Sequence, residues 1–320
     1  MAGNDRPLRI GTRGSRLALW QAERVAAVLG SRYPGLATTI VKIHSHGDLH
    51  GSSVAELGQV GIFTREIEQA VLGREVDLAV HSLKDLPTTS PEGLVLAALL
   101  PRDDPRDLLV ARELAGRTFT DSRAALAALR HGARIATSSL RRRAELLRAR
   151  GDLEVVELRG NVPTRLAKVE RGEVDGVVLS LAGLLRLGLE PPGAVALDPE
   201  LMLPAPAQGT IAVQARADDA RVRPLLEGID DAATRVCTTA ERRLLHELEG
   251  GCRVPLGALA TLAGDTVTMR ARLATADGKT VLEETATGSA GGIADLAHRM
   301  AEALRARGAA GILSTLRGPL

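Results

Sequence analysis

Glu75-Val76-Asp77-Leu78-Ala79-Val80-His81-Ser82-Leu83 returns farther along the chain as Glu173-Val174-Asp175-Gly176-Val177-Val178-Leu179-Ser180-Leu181. Each copy reads as an apolar β-strand with a charged entry and a polar exit. Thr64-Arg65 precedes the first copy and Thr164-Arg165 the second. A further pair lies upstream, Arg9-Ile10-Gly11-Thr12 and Arg134-Ile135-Ala136-Thr137. The intervals between the two signatures differ, so the pattern is similar architecture with loop deletions and not a regular solenoid. Strands alternating with helical stretches predict α/β domains built on parallel sheets. Two similar domains facing one another imply a cleft, and such interfaces are preferred ligand sites.

The turns after these strands carry the polar chemistry. Arg9–Thr12 reads as a strand, Gly11-Thr12-Arg13-Gly14-Ser15 as its turn, and about Leu17–Leu29 as a long helix. A unit of this kind aims backbone N–H groups and a helix dipole at the turn, which makes an anion site. Arg13 and Ser15 add donors there. Thr38–Ile43 is the next strand and Phe63–Leu72 a helix. Residues 44–61 are rich in glycine and polar residues and read as a long loop of the lid kind. Its His44 and His46 have no cysteine or carboxylate cluster beside them, and no metal is expected. The strand Val76–His81 runs into His81-Ser82-Leu83-Lys84-Asp85-Leu86-Pro87. Ligands of parallel sheets lie beyond the carboxyl ends of strands, where Lys84 and Asp85 stand, although a surface ion pair fits the same dipeptide.

In the second copy Thr137-Ser138-Ser139 caps a helix that begins Leu140-Arg141-Arg142-Arg143. Cations belong at helix C-termini, so arginines in a first turn predict a bound anion. Leu158-Arg159-Gly160-Asn161-Val162-Pro163-Thr164-Arg165 is a second such turn, with Pro163 suited to the first helical position, and Arg186 follows Ala182-Gly183-Leu184.

Two proline-punctuated stretches mark crossings, Pro101–Asp107 and Leu203–Gly209, and the apolar Thr210–Ala215 reads as a strand returning to the first domain. Beyond residue 228 the pattern changes to a helix at Ala232–Leu248, strands near Leu256–Leu262, Thr266–Leu273 and Val281–Thr287, and a helix at about Ile293–Arg307. The expected architecture is α/β: two similar hinged α/β domains, of the type II periplasmic-binding-protein kind, plus a small α+β C-terminal domain. Their bounds are 1–103 with 208–227, then 104–207, then 228–320.

Composition narrows the function. A net charge of +2 implies no strong global field. Trp20, Tyr33, Phe63 and Phe119 are the whole aromatic complement, which disfavours stacking on single-stranded nucleic acid. Arg123–Arg150 is strongly basic, with Glu145 its only glutamate, yet its arginines sit at strand-to-helix turns. No apolar leader precedes the first strand, and the run Leu94–Leu100 is too short to span a membrane. A cytoplasmic protein is expected. Of 41 basic residues only Lys42, Lys84, Lys168 and Lys279 are lysine.

The chain has two cysteines. Cys237, Ala240, Leu244 and Leu248 recur at helical spacing, so Cys237 reads as core. Cys252 lies in Glu249-Gly250-Gly251-Cys252-Arg253-Val254-Pro255. The glycines leave the sulfur open, Arg253 favours the thiolate, and Pro255 stops any helix. A reactive loop thiol and a small buried hydrophobe both fit this stretch.

Taken together, seven stretches resemble the porphobilinogen deaminases, also called hydroxymethylbilane synthases, over essentially the whole chain. They are Gly11–Ser15 with Leu17–Gln21, His81–Pro87, Asp104–Asp107, Ala136–Arg142, Leu158–Val162, Leu203–Gly209 and Glu249–Cys252. The resemblance implies a monomeric enzyme of tetrapyrrole and heme biosynthesis that deaminates and joins four porphobilinogen molecules head to tail, then releases the linear tetrapyrrole by hydrolysis. It implies growth on a dipyrromethane cofactor held by a thioether to Cys252, with Lys84, Asp85, Ser139, Arg141, Arg142, Arg159 and Arg165 around it. Asp85 matches the catalytic carboxylate. Substrate contacts are implied for Arg13, Ser15, Thr137, Ser138, Arg159, Gly160, Asn161, Arg186 and Gln208. Arginine forks suit the acetate and propionate arms of each pyrrole. Two positions depart from the family, Val60 and Leu185, where lysines are usual. A non-enzymatic two-domain anion-binding protein would share fold and arginines without needing Asp85 or Cys252, and a nucleic-acid binder would need only the basic stretch.

Overall fold

The computed structural model describes residues 6–43, 64–248 and 254–314. Cys252 and the lid stretch with Val60 lie outside the described residues. The chain divides into two compact units, Met1–Arg102 with Thr210–Arg235, and Asp103–Gly209 with Val236–Leu320. Among the described residues the strands are β1 (Leu8–Thr12), β2 (Thr38–Lys42), β3 (Leu78–Ser82) and β4 (Leu94–Leu99); β5 (Asp107–Ala111), β6 (Arg134–Ala136), β7 (Glu154–Val156), β8 (Gly176–Ser180) and β9 (Ala194–Leu197); and β10 (Ile211–Arg216), β11 (Leu256–Ala263), β12 (Thr266–Ala274) and β13 (Val281–Ser289).

The first unit is built on one sheet of order β2-β1-β3-β10-β4. β1 runs parallel to β2 and β3, while β10 is antiparallel to both β3 and β4. Covered on both faces, β3 is apolar along most of its length, as buried strands are. Helix Arg16–Arg32 starts at Ser15, whose hydroxyl accepts the Ala18 N–H. It lays Ala22, Val25 and Leu29 against Leu8, Ile10, Leu78 and Val80. The helix after the lid stretch is Arg65–Leu72, burying Ile67 and Val71.

The second unit repeats the plan with order β7-β6-β8-β5-β9, where β6 is parallel to β7 and β8 and β5 is antiparallel to β8 and β9. The two sheets correspond strand for strand, so β10 in the first stands where β5 stands in the second. The register sharpens this. Ile211 opens β10 opposite Ser82, and Asp107 opens β5 opposite Ser180. Helix Val162–Glu170 starts at its N-cap Asn161, so Val162 is the first helical residue and Pro163 the second, one place later than expected.

The same unit holds the antiparallel sheet β11-β12-β13. Its core joins Leu256, Met269 and Leu273 to Leu244 and Leu248 of helix Ala232–Glu247 and to Leu296, Met300 and Leu304 of helix Ile293–Ala306. Cys237 belongs to this core, 8% exposed, as its spacing predicts. The boundary between compact units falls inside helix Ala232–Glu247, after Arg235. Glu241 of this helix, fully buried, accepts the Ala207 N–H at 2.6 Å and the Ala260 N–H at 2.7 Å. The first contact pins Ala207 in the left-handed region, at φ 63°, which a non-glycine residue keeps only when its surroundings hold it there.

Candidate active site

Each unit carries its predicted residues at one end of its sheet, where the parallel strands finish. In the first unit β1 leads into Arg13 and Ser15, and β3 leads into a single 3-10 turn, Leu83–Asp85. Leu83 is buried beneath this turn, Lys84 is half-buried and Asp85 is exposed. The strand end is braced by Gln21 of the first helix, which donates to the Ser82 hydroxyl at 2.8 Å. His81, one residue earlier, is 6% exposed. Burial lowers its pKa to about 4, with Gln214 opposing and the Arg13 charge adding to the shift, so it is neutral at pH 7. Gln214 also donates to Glu68 at 3.2 Å. Burial raises the Glu68 pKa against the hydrogen bonds from Gln214 and Thr64. His81 stands inside the repeated motif, yet nothing in its spacing marks it as buried.

In the second unit helix Leu140–Ala149 begins at Ser139, whose hydroxyl accepts the Arg142 N–H at 3.4 Å. Thr137 is buried and its hydroxyl accepts the Ser139 N–H, while Ser138 is exposed. Arg141 and Arg142 are 4% and 7% exposed. Both meet Asp107, the fully buried first residue of β5. Arg142 donates from Nε at 3.1 Å and from Nη2 at 2.7 Å to Asp107 Oδ1, and Arg141 Nη1 lies 2.7 Å from Oδ2. Gln208 donates to the same Oδ1 at 2.9 Å and to the Pro105 carbonyl at 2.7 Å. Two carbonyls also accept, Leu203 from Arg141 and Val178 from Arg142. Burial alone would raise the Asp107 pKa, but the two arginine charges outweigh it and hold the carboxyl far below the usual range. The anion that cations in this first turn call for is thus supplied in part by the chain itself, by a residue the motifs place in a connector.

The remaining predicted residues of this unit make other contacts. Arg165 donates to the Gly160 carbonyl at 2.8 Å, and its pKa is lowered by burial and by the nearby Arg142 charge. Asn161 caps its helix by accepting from Thr164. Arg159 is exposed and pairs with Glu157. Arg186 is buried and donates to Asp103 at 2.8 Å and to the Gly209 carbonyl at 2.6 Å. Gly209 has φ 93° and packs so closely that a Cβ there would lie 2.5 Å from the Asp103 carbonyl oxygen, so only glycine fits this crossing. Leu185 is 57% exposed beside Arg186.

Arg141, Arg142 and Arg165 carry three positive charges against the one charge of Asp107, and Arg141 Nε is a buried donor with no acceptor among the described residues. This donor set suits a carboxylate-bearing group such as dipyrromethane.

Two family models match the chain. The porphobilinogen deaminase dipyromethane cofactor binding domain covers residues 8–224, and the porphobilinogen deaminase C-terminal domain covers residues 235–306. The porphobilinogen deaminase of Syntrophotalea carbinolica is 46% identical over 310 residues, 97% of this chain and 96% of its own length. That of Xanthomonas oryzae pv. oryzae is 45% identical over 310 residues, 97% of this chain and 99% of its own. Among solved structures, the methionine binding protein MetQ superposes with a TM-score of 0.43 at 13% identity, over 70% of this chain and 89% of its own. At the coverage of the two enzymes the likeness takes in all three sheets: the chain belongs to the porphobilinogen deaminase family.

Proposed function

We propose how the residues described above carry the family's reaction. The enzyme is a hydroxymethylbilane synthase, a transferase of tetrapyrrole biosynthesis that condenses four porphobilinogen molecules head to tail and releases the linear product by hydrolysis. Its cofactor, dipyrromethane, supplies when bound the pyrrole on which the chain of rings grows. In our reading the Cys252 sulfur holds it by a thioether. Arg141, Arg142 and Arg165 bind its carboxylates, with Ser139, Lys84 and Arg159 adding donors. Arg13, Ser15, Thr137, Ser138, Gly160, Asn161, Arg186 and Gln208 receive the arms of incoming porphobilinogen. Leu185 stands where the family usually has a lysine, beside Arg186.

Asp85 takes the acid–base role. Loss of ammonia from porphobilinogen leaves a cation whose charge spreads to the pyrrole nitrogen, and a fixed carboxylate stabilises that charge as it forms. The same carboxylate can carry the proton that leaves the ring carbon after coupling. Its position on a short exposed turn, over the buried Leu83, combines reach with a rigid base.

We further propose that the β11–β13 sheet with its helices is a third domain carrying the cofactor cysteine, and that the enzyme works as a cytoplasmic monomer. No helix among the described residues is long and apolar enough to cross a membrane. The observation that carries the whole reading is an arginine cluster with a spare buried donor in a chain matched over residues 8–224 by a cofactor-binding family model. Intact mass spectrometry with peptide mapping tests it. The expected result is a two-pyrrole increment on the Cys252 peptide and none on Cys237. An active protein with a free Cys252 thiol sinks the reading.

A further inference from the structure

We propose that Asp107 is a positioning residue for cofactor loading: from inside the second sheet it fixes Arg141, Arg142 and Gln208 so that the donors Arg141 has left are held ready for a carboxylate. The inference rests on the reading of the arginine cluster given above and adds to it a role for Asp107, which the Asp104–Asp107 stretch contains without a role attached.

Three observations carry it. First, three residues of the candidate site converge on one carboxylate. Asp107 Oδ1 takes Nε and Nη2 of Arg142 and the amide of Gln208, and Oδ2 lies against Arg141 Nη1. Every one of these partners is at most 7% exposed. Second, the charges do not cancel. Two guanidinium groups face one carboxylate, and Arg141 Nε stays buried with no acceptor among the described residues. Buried donors are ordinarily satisfied, so an orphaned one beside surplus positive charge marks a place for an external acceptor. Third, the fold does not require an acid here. The equivalent residue of the first sheet, opening β10 opposite the serine that ends β3, is the buried Ile211. A buried charge cluster is seldom more stable than well-packed apolar residues of similar volume. Stability alone therefore gives no reason to keep an aspartate at this register.

Arg142 is used almost entirely within the protein, with Nε and Nη2 on Asp107 and Nη1 on the Val178 carbonyl. Arg141 commits Nη1 to Asp107 and to the Leu203 carbonyl. Asp107 thereby divides the labour, with Arg142 locking the carboxylate and the carboxylate orienting Arg141. Without the negative charge the two guanidinium groups repel, and the orientation of Arg141 is no longer fixed.

The test compares full-length wild type, Asp107→Asn and Asp107→Glu, purified from cells that make porphobilinogen. Circular dichroism confirms folding, and intact mass gives the fraction carrying the two-pyrrole increment. The expected result is a loading at least about tenfold lower in folded Asp107→Asn, the scale of one lost charge-assisted contact, with partial recovery in Asp107→Glu. Folded Asp107→Asn that loads like wild type overturns the proposal. Absence of the increment from wild type itself overturns the functional reading instead. Should Asp107→Asn not fold, Arg142→Gln is compared with Arg142→Gln/Asp107→Asn, which leaves the buried net charge of the wild type unchanged. The double variant is then expected to load several-fold less than the single, and equal loading overturns the proposal.

Discussion

The two α/β sheets share one strand plan and hold their acids in opposite ways. The first ends β3 in an exposed turn that presents Asp85, and fills the start of β10 with Ile211. The second buries its acid, Asp107, at the matching start of β5, and where the first has Lys84-Asp85 after its strand it has Ala182-Gly183. One carboxylate is exposed to solvent. The other is locked against two arginines and meets nothing from outside. If Asp85 acts as proposed, the duplicated frame separates chemistry from charge organisation, one task to each copy.

Substitutions test that separation, beginning with the largest effect. Asp85→Asn is expected to cut turnover by about 10²–10⁴-fold, the range for a lost acid–base group, with a melting temperature close to wild type. Normal turnover in the purified variant removes Asp85 from the mechanism. Arg142→Leu is expected to lower stability as well as cofactor loading, costing about 3 kcal/mol by denaturant titration. Arg141 and Gln208 stay on Asp107, which keeps the loss at the lower end for a broken buried pair. An unchanged midpoint would mean that the cluster is not a unit.

His81 gives the first sheet its own signature. Its folded pKa of about 4 lies below the 6.5 of an unperturbed histidine, so the unfolded state binds more protons between those values. Its contribution is complete above pH 6.5 and is lost as pH falls toward 4, amounting to about 3 kcal/mol. Unfolding free energies measured across that window should show this slope, and His81→Gln should flatten it. The smallest expected change is Arg159→Leu, whose exposed pair with Glu157 contributes at most about 1 kcal/mol. The melting temperature should barely move while chain growth slows, and a large drop in stability would place Arg159 with the buried cluster.

What the sequence discloses follows the range of the interactions. Strand–turn–helix units are local, so Ser139 declares itself as a cap by neighbours a few positions away, whereas the caps at Ser15 and Asn161 emerge only in the structure. Cys237 declares itself by helical spacing. The antiparallel strands β4, β5 and β9 carry no such local pattern, since each is set by pairing with a distant partner. The Asp107–Arg142 contact spans 35 positions. In the one-dimensional string Asp107 is one more charge in a proline-rich connector. Only the register of β5 on β8 carries it into the core beneath the arginines. The arginines were legible as a demand for an anion, but not that the chain answers part of that demand itself.

β10 has a consequence for how this protein is made. It is the strand between β3 and β4, yet it emerges from the ribosome only after everything from Asp103 to Gly209. Until then β4 has no partner and β3 offers a bare edge of unpaired amides and carbonyls, the kind of edge on which chains aggregate. The later-encoded sheet β7-β6-β8-β5-β9 has all its strands first, so it can close while the earlier one waits. Pulse proteolysis of stalled nascent chains from which Gly209 has just emerged from the ribosome should find residues 103–209 protected and residues 6–102 still cleavable, with protection of the latter arriving once Arg216 is free.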